Sequence, residues 1–428
     1  MTQQISRGLP QACGAPRMSS IEWQPPEAAT RTRAAACSRK VDHVELPIEP
    51  RLIIYGSACS QRRRGIVVSI HSITRCHRRE HALKLSALAV ITAVAFAAPL
   101  LALPVEDACA VERASHNQIG ASESWKQIHA DTTPHARHEN SMVAIGERLY
   151  LIGGRDQRPL DIFDTRTRRW SQGSAPPLMV SHAQAVVVSG KLYFVGGFTG
   201  DYPEEASLTH LLIYDPQTDT WQVGPEIPAH RRRGAAGAVA HEGVLYLVGG
   251  NTRGHMSGYV PWLDAFDTKT QQWTQLADAP HARDHFHAAV IDGKLYAAGG
   301  RRSAHESGNT LAQTIPEVDI YDIQRGTWSV APAALPTQRA GTAAIVRNGQ
   351  LLIIGGESMR QVKAHDEVEA YDPAKSTWTA LAALPQGRHG TQAAAVGDDL
   401  YIVAGSGNRG GGPELDDVLM LGDAEAMR

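Results

Sequence analysis

Cysteine is confined to the first 109 residues of the chain. Cys13, Cys37, Cys59, Cys76 and Cys109 are the whole set, and beyond Ala110 the only sulfur belongs to methionine. No disulfide can form within that remainder. An excess of either charge is also missing overall, with 42 Lys and Arg against 44 Asp and Glu. The balance averages two unlike segments. Residues 1–104 hold 14 basic and 6 acidic side chains, so residues 105–428 hold 28 and 38. Hydrophobic residues at 43% and charged residues at 20% exclude a wholly disordered chain, a collagen and a multi-span membrane protein. Also absent after residue 110 are a Gly-x-Ser-x-Gly elbow, a phosphate-binding loop and His-Glu-x-x-His. At roughly 150 residues per domain the length allows two or three domains, although a large all-β domain often exceeds this as one unit.

The basic first quarter holds the one long apolar run, Leu85 to Leu103, broken only by Ser86 and Thr92 and preceded by Arg78, Arg79 and Lys84. With the small-x-small triplet Ala108-Cys109-Ala110 after it, residues 75–110 resemble a signal peptide cleaved after Ala110. An uncleaved membrane anchor competes, since the run is long enough to cross a bilayer. Residues 1–74 show no sustained periodicity. They read as a disordered extension or as translated sequence upstream of the true start, and their Arg clusters as coil, with no nucleic-acid partner expected.

From Trp125 onward the chain repeats itself. Leu-Tyr or Leu-Leu, an apolar pair and Gly-Gly end at Gly154, Gly197, Gly250, Gly300 and Gly356, with a degenerate sixth copy at Gly405. Phe163-Asp164, Tyr214-Asp215, Phe266-Asp267, Tyr321-Asp322 and Tyr371-Asp372 follow, and then Trp170, Trp221, Trp273, Trp328 and Trp378. Short β-type runs separated by turns indicate about four strands per repeat. The pattern resembles the kelch repeat and covers nearly all of residues 125–421. The resemblance implies an all-β, six-bladed kelch-type β-propeller across residues 111–428, each repeat a four-stranded blade around a central channel. The sixth repeat stops after Val418 to Leu421 without a Trp, and Trp125 has no Gly-Gly before it. The N-terminal segment Ser124 to Ile128 is therefore predicted to be the outer strand of the last blade, leaving no long edge unpaired.

Strand order puts the start of each innermost strand and the loop after Gly-Gly on one face. Those loops are the long ones, with 16, 24, 23, 28 and 22 residues from Gly-Gly to Trp. They include Asp201 to Glu205, Arg253-Gly254-His255, Arg301 to Asn309 and Glu357 to His365, and loops on a rigid scaffold are where function is usually placed. Twelve residues before each Leu-Tyr stand Arg137, Val180, Arg233, Arg283, Arg339 and Arg388. Five guanidiniums at one mouth would form a positive well for a carboxylate, a phosphate or an acidic peptide. The competing reading makes them repeat grammar, bonding to carbonyls of the neighbouring blade. Two residues on stand Glu139, His182, Ala235, His285, Gly341 and Gly390, and two beyond those Ser141, Gln184, Gly237, His287, Ala343 and Gln392.

The candidate ligand-binding residues are therefore Arg137, His182, Arg233, Arg283, His285, His287, Arg301, Arg339, Arg388 and His389. Asp284-His285-Phe286-His287 places two imidazoles at period two, a geometry a metal can use. No third ligand is identifiable, so no metal and no cofactor are expected, and the Gly407 to Gly412 run reads as a flexible loop tip. Galactose oxidase, an enzyme on the kelch fold, uses a tyrosine crosslinked to cysteine, which the composition after Cys109 excludes. The first expectation is an exported, periplasmic or secreted, monomeric binding propeller. Its partner would be an acidic small molecule, a glycan or a protein, and the membrane only if the apolar segment stays uncleaved. The alternative is an enzyme similar to the sialic-acid mutarotases, periplasmic kelch propellers, with Glu357, His285 and Arg301 as candidates for proton transfer and for holding a sugar carboxylate.

Overall fold

The computed structural model describes residues 123–422. The extension, the signal-like segment and the cleavage site expected within residues 1–110 lie outside the described residues. Six four-stranded antiparallel sheets follow one another along the chain. The first contains Asn140–Ile145, Arg148–Gly153, Leu160–Asp164 and Arg169–Gly173, paired in that order from the axis outward. Four further blades repeat this order, and the sixth takes three strands from Ala393–Val396, Asp399–Val403 and Val418–Gly422. Its outermost strand is Ser124–Ile128, antiparallel to Val418–Gly422 with Trp125 opposite Leu421. Among the described residues there are two short 3₁₀ turns, no α-helix, and no helix long and apolar enough to cross a membrane.

The radial order follows from side-chain size. Sheets arranged around an axis are crowded at the centre and diverge outward, so the innermost strands carry Ala238, Ala288, Ala343 and Ala393, all buried. The second strands carry large apolar residues buried on both faces, such as Leu149 to Ile152 and Leu351 to Ile354. The outer, wider gap is filled by aromatic pairs across strands: Phe163 with Trp170, Tyr214 with Trp221, Phe266 with Trp273, Tyr321 with Trp328 and Tyr371 with Trp378, at centroid distances of 4.9 to 5.2 Å. Four of these indoles donate Nε1–H to a carbonyl of the preceding blade, as Trp221 does to Ser174 at 2.9 Å and Trp328 to Ala277 at 2.8 Å. The hydrophobic core is consequently six wedges, one between each pair of adjacent blades. The Asp of each Phe/Tyr-Asp pair accepts from backbone N–H groups of the turn that follows, Asp164 from Thr167 and Asp322 from Arg325, both at 2.8 Å.

Candidate functional site

The five repeat arginines are not available at the mouth. Arg137, Arg233, Arg283, Arg339 and Arg388 are all buried, and each is committed to its own blade. Each donates to the carbonyl just before or at its Gly-Gly, for example Arg283 Nη1 to Gly299 O at 2.9 Å and Arg388 Nη1 to Ala404 O at 3.1 Å. Each also pairs with an acid of the third strand or just before it: Asp161, Asp264, Asp319, Glu369 and Asp417 respectively. The expected positive well is corrected accordingly: these cations are neutralised structural braces, bonded within their own blade and not to its neighbour.

Two residues further on, the chain does something else. Glu139, His182, Ala235, His285, Gly341 and Gly390 all have φ between 53° and 64°, the left-handed region. Their backbones form a near-continuous ring of hydrogen bonds around the axis. The N–H groups of His182, Ala235, His285, Gly341 and Gly390 donate to the preceding blade's equivalent carbonyl at 2.6 to 3.0 Å, and Asn140 N closes the seam on Gly390 O at 3.1 Å. Glycine takes such a conformation freely; for Glu139, His182 and His285 it costs of the order of 1–3 kcal/mol each. Ala235 bears the same strain, and the other three strained positions carry ionisable side chains.

Those side chains gather at the loop-bearing mouth. His182, His255 and His285 are buried, and one ring nitrogen of each lies within 4.8 Å of the others. His255 Nε2 is 2.8 Å from His285 Nε2. His285 Nδ1 donates to Asp284 at 2.5 Å, and His255 Nδ1 to Glu205 at 2.9 Å. His182 Nδ1 is 2.9 Å from Ser181 Oγ, and its Nε2 is 3.4 Å from both Arg155 Nη2 and Glu139 Oε2. His255 arrives from outside the repeat: it occupies the tip of a ribbon formed by Asn251–Arg253 and Ser257–Tyr259, beside a second ribbon of Phe198–Thr199 and Ala206–Ser207 that presents Glu205. Gly254 permits the approach, since a Cβ there would lie 2.6 Å from Glu205 N and 2.8 Å from Pro203 O.

A second group adjoins the first. Arg301 pairs with Glu357 and donates Nε–H to Ser303 at 2.9 Å. Glu357 Oε2 accepts from Gly410 N at 2.7 Å, and His389 Nε2 lies 3.6 Å from the same oxygen while donating to Asn408 O at 2.8 Å. The Gly407 to Gly412 run is therefore bound into the site and is not a loose tip. Arg155 covers the histidines, with Nη1 3.2 Å from Glu205, Nε 3.2 Å from His138 Nε2, and its guanidinium 5.6 Å from the ring centre of Tyr202. Its side chain is 27% exposed, and Tyr202 is 47% exposed.

Burial pushes the His182 imidazole well below its ordinary value, and the Arg155 cation adds to this. Burial and the neighbouring His285 push His255 down to about 4. Burial works to raise the Glu205 carboxyl, but the His255 hydrogen bond and Arg155 outweigh it and hold Glu205 down to about 2. Glu357 likewise resists burial and is held well below the carboxylate range by His389 and Arg301. Neutral imidazoles and ionised carboxylates in one buried group are the arrangement expected of a functional site.

Below the ring, a cavity of about 20 Å³ is lined by Glu139, His182, His285, His287 and Thr342, among others. That is room for a water or two, each needing about 10–15 Å³. His287 lines this cavity but stays outside the histidine group, so the period-two pair does not act as one. Gln184 and Gln392 then plug the channel. Gln184 Oε1 accepts from Ala238 N and Ala288 N at 2.8 and 2.7 Å, and Gln392 Oε1 from Met142 N and Ala185 N at 3.3 and 3.1 Å. The far end is an open funnel of about 360 Å³ lined largely by Ala and Val, including Ala240, Val290 and Ala395. Sequence reasoning marked His182, His285, Arg301, Glu357 and His389, which meet here. It missed His255, Glu205 and Arg155 as site residues, although the first two stood in loops singled out for their length.

Residues 118–362, more than half of the chain, match the Attractin/LZTR1 β-propeller family. The Kelch-like protein terF of Aspergillus terreus is 28% identical over 308 residues, covering 68% of this chain and 66% of its own length. Human Kelch-like protein 23 is 24% identical over 268 residues, 60% of this chain and 43% of its own, and mouse Kelch-like protein 38 is 24% identical over 262 residues, 60% and 42%. The chain thus spans just under two thirds of the first relative and less than half of the other two. Among solved structures, that of YjhT aligns with a TM-score of 0.57 at 18% identity over 68% of this chain and 96% of that one, a likeness of fold alone. With six blades, kelch sequence repeats and this match, the chain belongs to the Attractin/LZTR1 β-propeller family and is a kelch-type propeller binding module.

Proposed function

We propose that the protein is exported and binds a small anionic or carbohydrate ligand, most simply a sugar acid, on its loop-bearing face. The observation that carries this reading is Arg155. It is the guanidinium over the histidine group that no repeat brace claims, it is partly exposed, and it lies beside the exposed ring of Tyr202. A carboxylate meeting Arg155 gains a charge-assisted bond, and a sugar ring can lie against the tyrosine. Thermal-shift and calorimetric titration of the full chain with glucuronate, galacturonate and glucose test it. Acidic sugars should stabilise the protein more than glucose, and Arg155→Ala and Tyr202→Ala should each weaken binding at least tenfold. Stabilisation by no acidic sugar would sink the reading and favour a partner protein, since Tyr202, Tyr259, Met359 and Val362 are exposed on loops of the same face.

The enzymatic alternative, a sugar-acid mutarotase, is favoured by one detail. Asp284 fixes the His285 tautomer and orients its Nε2 as a base, the standard device for general base catalysis. Arg301 and Glu357 are committed to each other, which leaves His285 as the proton-transfer candidate of the original three. Exchange between anomers, followed by NMR for any sugar acid that binds, should be unaccelerated by His285→Gln if this reading holds.

A further inference from the structure

We infer that His182, His255 and His285 form a binding site for one late first-row divalent metal ion such as Zn²⁺, held by three Nε2 atoms with Glu139 beside them. The argument is one of lone pairs. A carboxylate is only an acceptor, so His285 must donate its Nδ1–H to Asp284, and His255 its Nδ1–H to Glu205. Both rings then present an Nε2 lone pair, and these atoms stand 2.8 Å apart. In the tautomer that donates Nδ1–H to Ser181 Oγ, the one that the neighbouring donor Arg155 Nη2 matches, His182 presents a third lone pair 3.4 Å from an oxygen of Glu139. Four acceptors facing one point repel unless a cation stands among them.

The outer contacts have the form that metal sites use. Metal-binding histidines generally donate the other ring N–H to a carboxylate or similar acceptor, which fixes the tautomer and raises ligand basicity. Two of the three histidines have a buried carboxylate in that role and the third a hydroxyl. Neutral imidazoles suit Zn²⁺, Cu²⁺, Ni²⁺ and Fe²⁺, and three protein ligands leave a coordination position for water or a ligand. The three come from separate places: two from the ring of left-handed residues in the second and fourth blades, one from the ribbon of the third. Arg155 Nη2, 3.4 Å from His182 Nε2, lies close to the same point. Its partly exposed side chain can turn outward when the ion enters.

This site lies directly beneath Arg155 and uses the His285 Nε2 of the enzymatic alternative, but it does not rest on the sugar-acid reading, and either can fail alone. The test is Zn²⁺ titration by calorimetry of the full chain after chelator treatment, with Co²⁺ and Cu²⁺ as spectroscopic probes. One equivalent of Zn²⁺ is expected to bind. Co²⁺ should give visible bands of nitrogen and oxygen coordination without the intense thiolate bands that any of the five cysteines would add. Cu²⁺ should show nitrogen splitting in electron paramagnetic resonance on the unaltered protein, so the result does not depend on any variant folding. His255→Ala and His285→Ala should abolish binding, Asp284→Asn and Glu205→Gln should weaken it by 10- to 100-fold, and the exposed control His305→Ala should leave it unchanged. The inference is overturned if no equivalent binds, if binding survives His255→Ala with His285→Ala, or if ¹⁵N NMR of the metal-free protein at neutral pH shows that a shared proton bridges the two rings and Zn²⁺ does not displace it.

Discussion

Val180 is where the arginine series stops, and Leu212 explains why. In the four other blades with the same spacing, an acid stands two residues before the Phe or Tyr: Asp161, Asp264, Asp319 and Glu369. The second blade has Leu212 there, and Val180 and Leu212 are buried in the same apolar wedge. Arginine and acid are thus gained or lost as a unit, which marks them as one brace. That correlation was legible in the sequence, and it decides between a binding ring and a structural one. The role of Glu357 was less legible, because its partners lie 56 and 53 residues away at Arg301 and Gly410. The brace makes a specific prediction. Arg339→Val leaves Glu369 buried and unpaired, which costs about 3–5 kcal/mol. Adding Glu369→Leu installs the second blade's chemistry and should recover at least half of that loss in urea unfolding. If the double variant is no more stable than the single, the two residues do not act as a pair. Glu357 gives a pH prediction. Its folded pKa lies below the unfolded value of about 4.3, so its stabilisation is present above that value and is lost as pH falls toward the folded pKa. Glu357→Gln should therefore be clearly less stable than wild type at pH 7, with the gap narrowing steadily below about pH 4.3 in thermal melts.

The blades could be read from the sequence because each strand recurs in register, with Gly-Gly, Phe/Tyr-Asp and Trp fixing its position. The two ribbons could not, since nothing in the repeat sets their length or their aim. Glu205 and His255 are 50 residues apart, in loops of different blades, and only the close approach at Gly254 brings them together. A long loop thus signals that something is placed over the mouth without saying which side chain reaches the axis. The blades do not depend on these ribbons for pairing, so structure and site should separate experimentally. Gly254→Val adds a β-branched side chain at φ 53°, against the backbone of residues 203 and 205. It should lower Zn²⁺ affinity at least tenfold while shifting the melting temperature by only a few degrees. A collapse of the melting temperature would instead make the ribbons part of the scaffold.

Six wedges of core mean that no blade is stable by itself, and cohesion depends on the ring being complete. The two ends of the channel differ sharply, a buried ionised group at one and an open Ala- and Val-lined funnel at the other, with Gln184 and Gln392 between them. Such asymmetry lets the left-handed ring carry strain at one end while small side chains pack without strain at the other. The seam is where this could fail. There the ring of backbone bonds is completed by Asn140 and not by Glu139, and the sixth blade borrows Ser124–Ile128 as its outer strand. Trp125 and Ile128 are both buried in the adjoining wedges. Removing the strand deletes a core Trp, worth about 3–5 kcal/mol, and bares the backbone of Val418–Gly422 as an unpaired edge. A domain of this size loses about 2–4 °C per kcal/mol. A chain begun at residue 129 should therefore melt roughly 10 °C or more below one begun at residue 123, and should aggregate through the exposed edge. Equal melting temperatures would mean that the ring holds without its seam strand, and that the six wedges are less interdependent than their geometry implies.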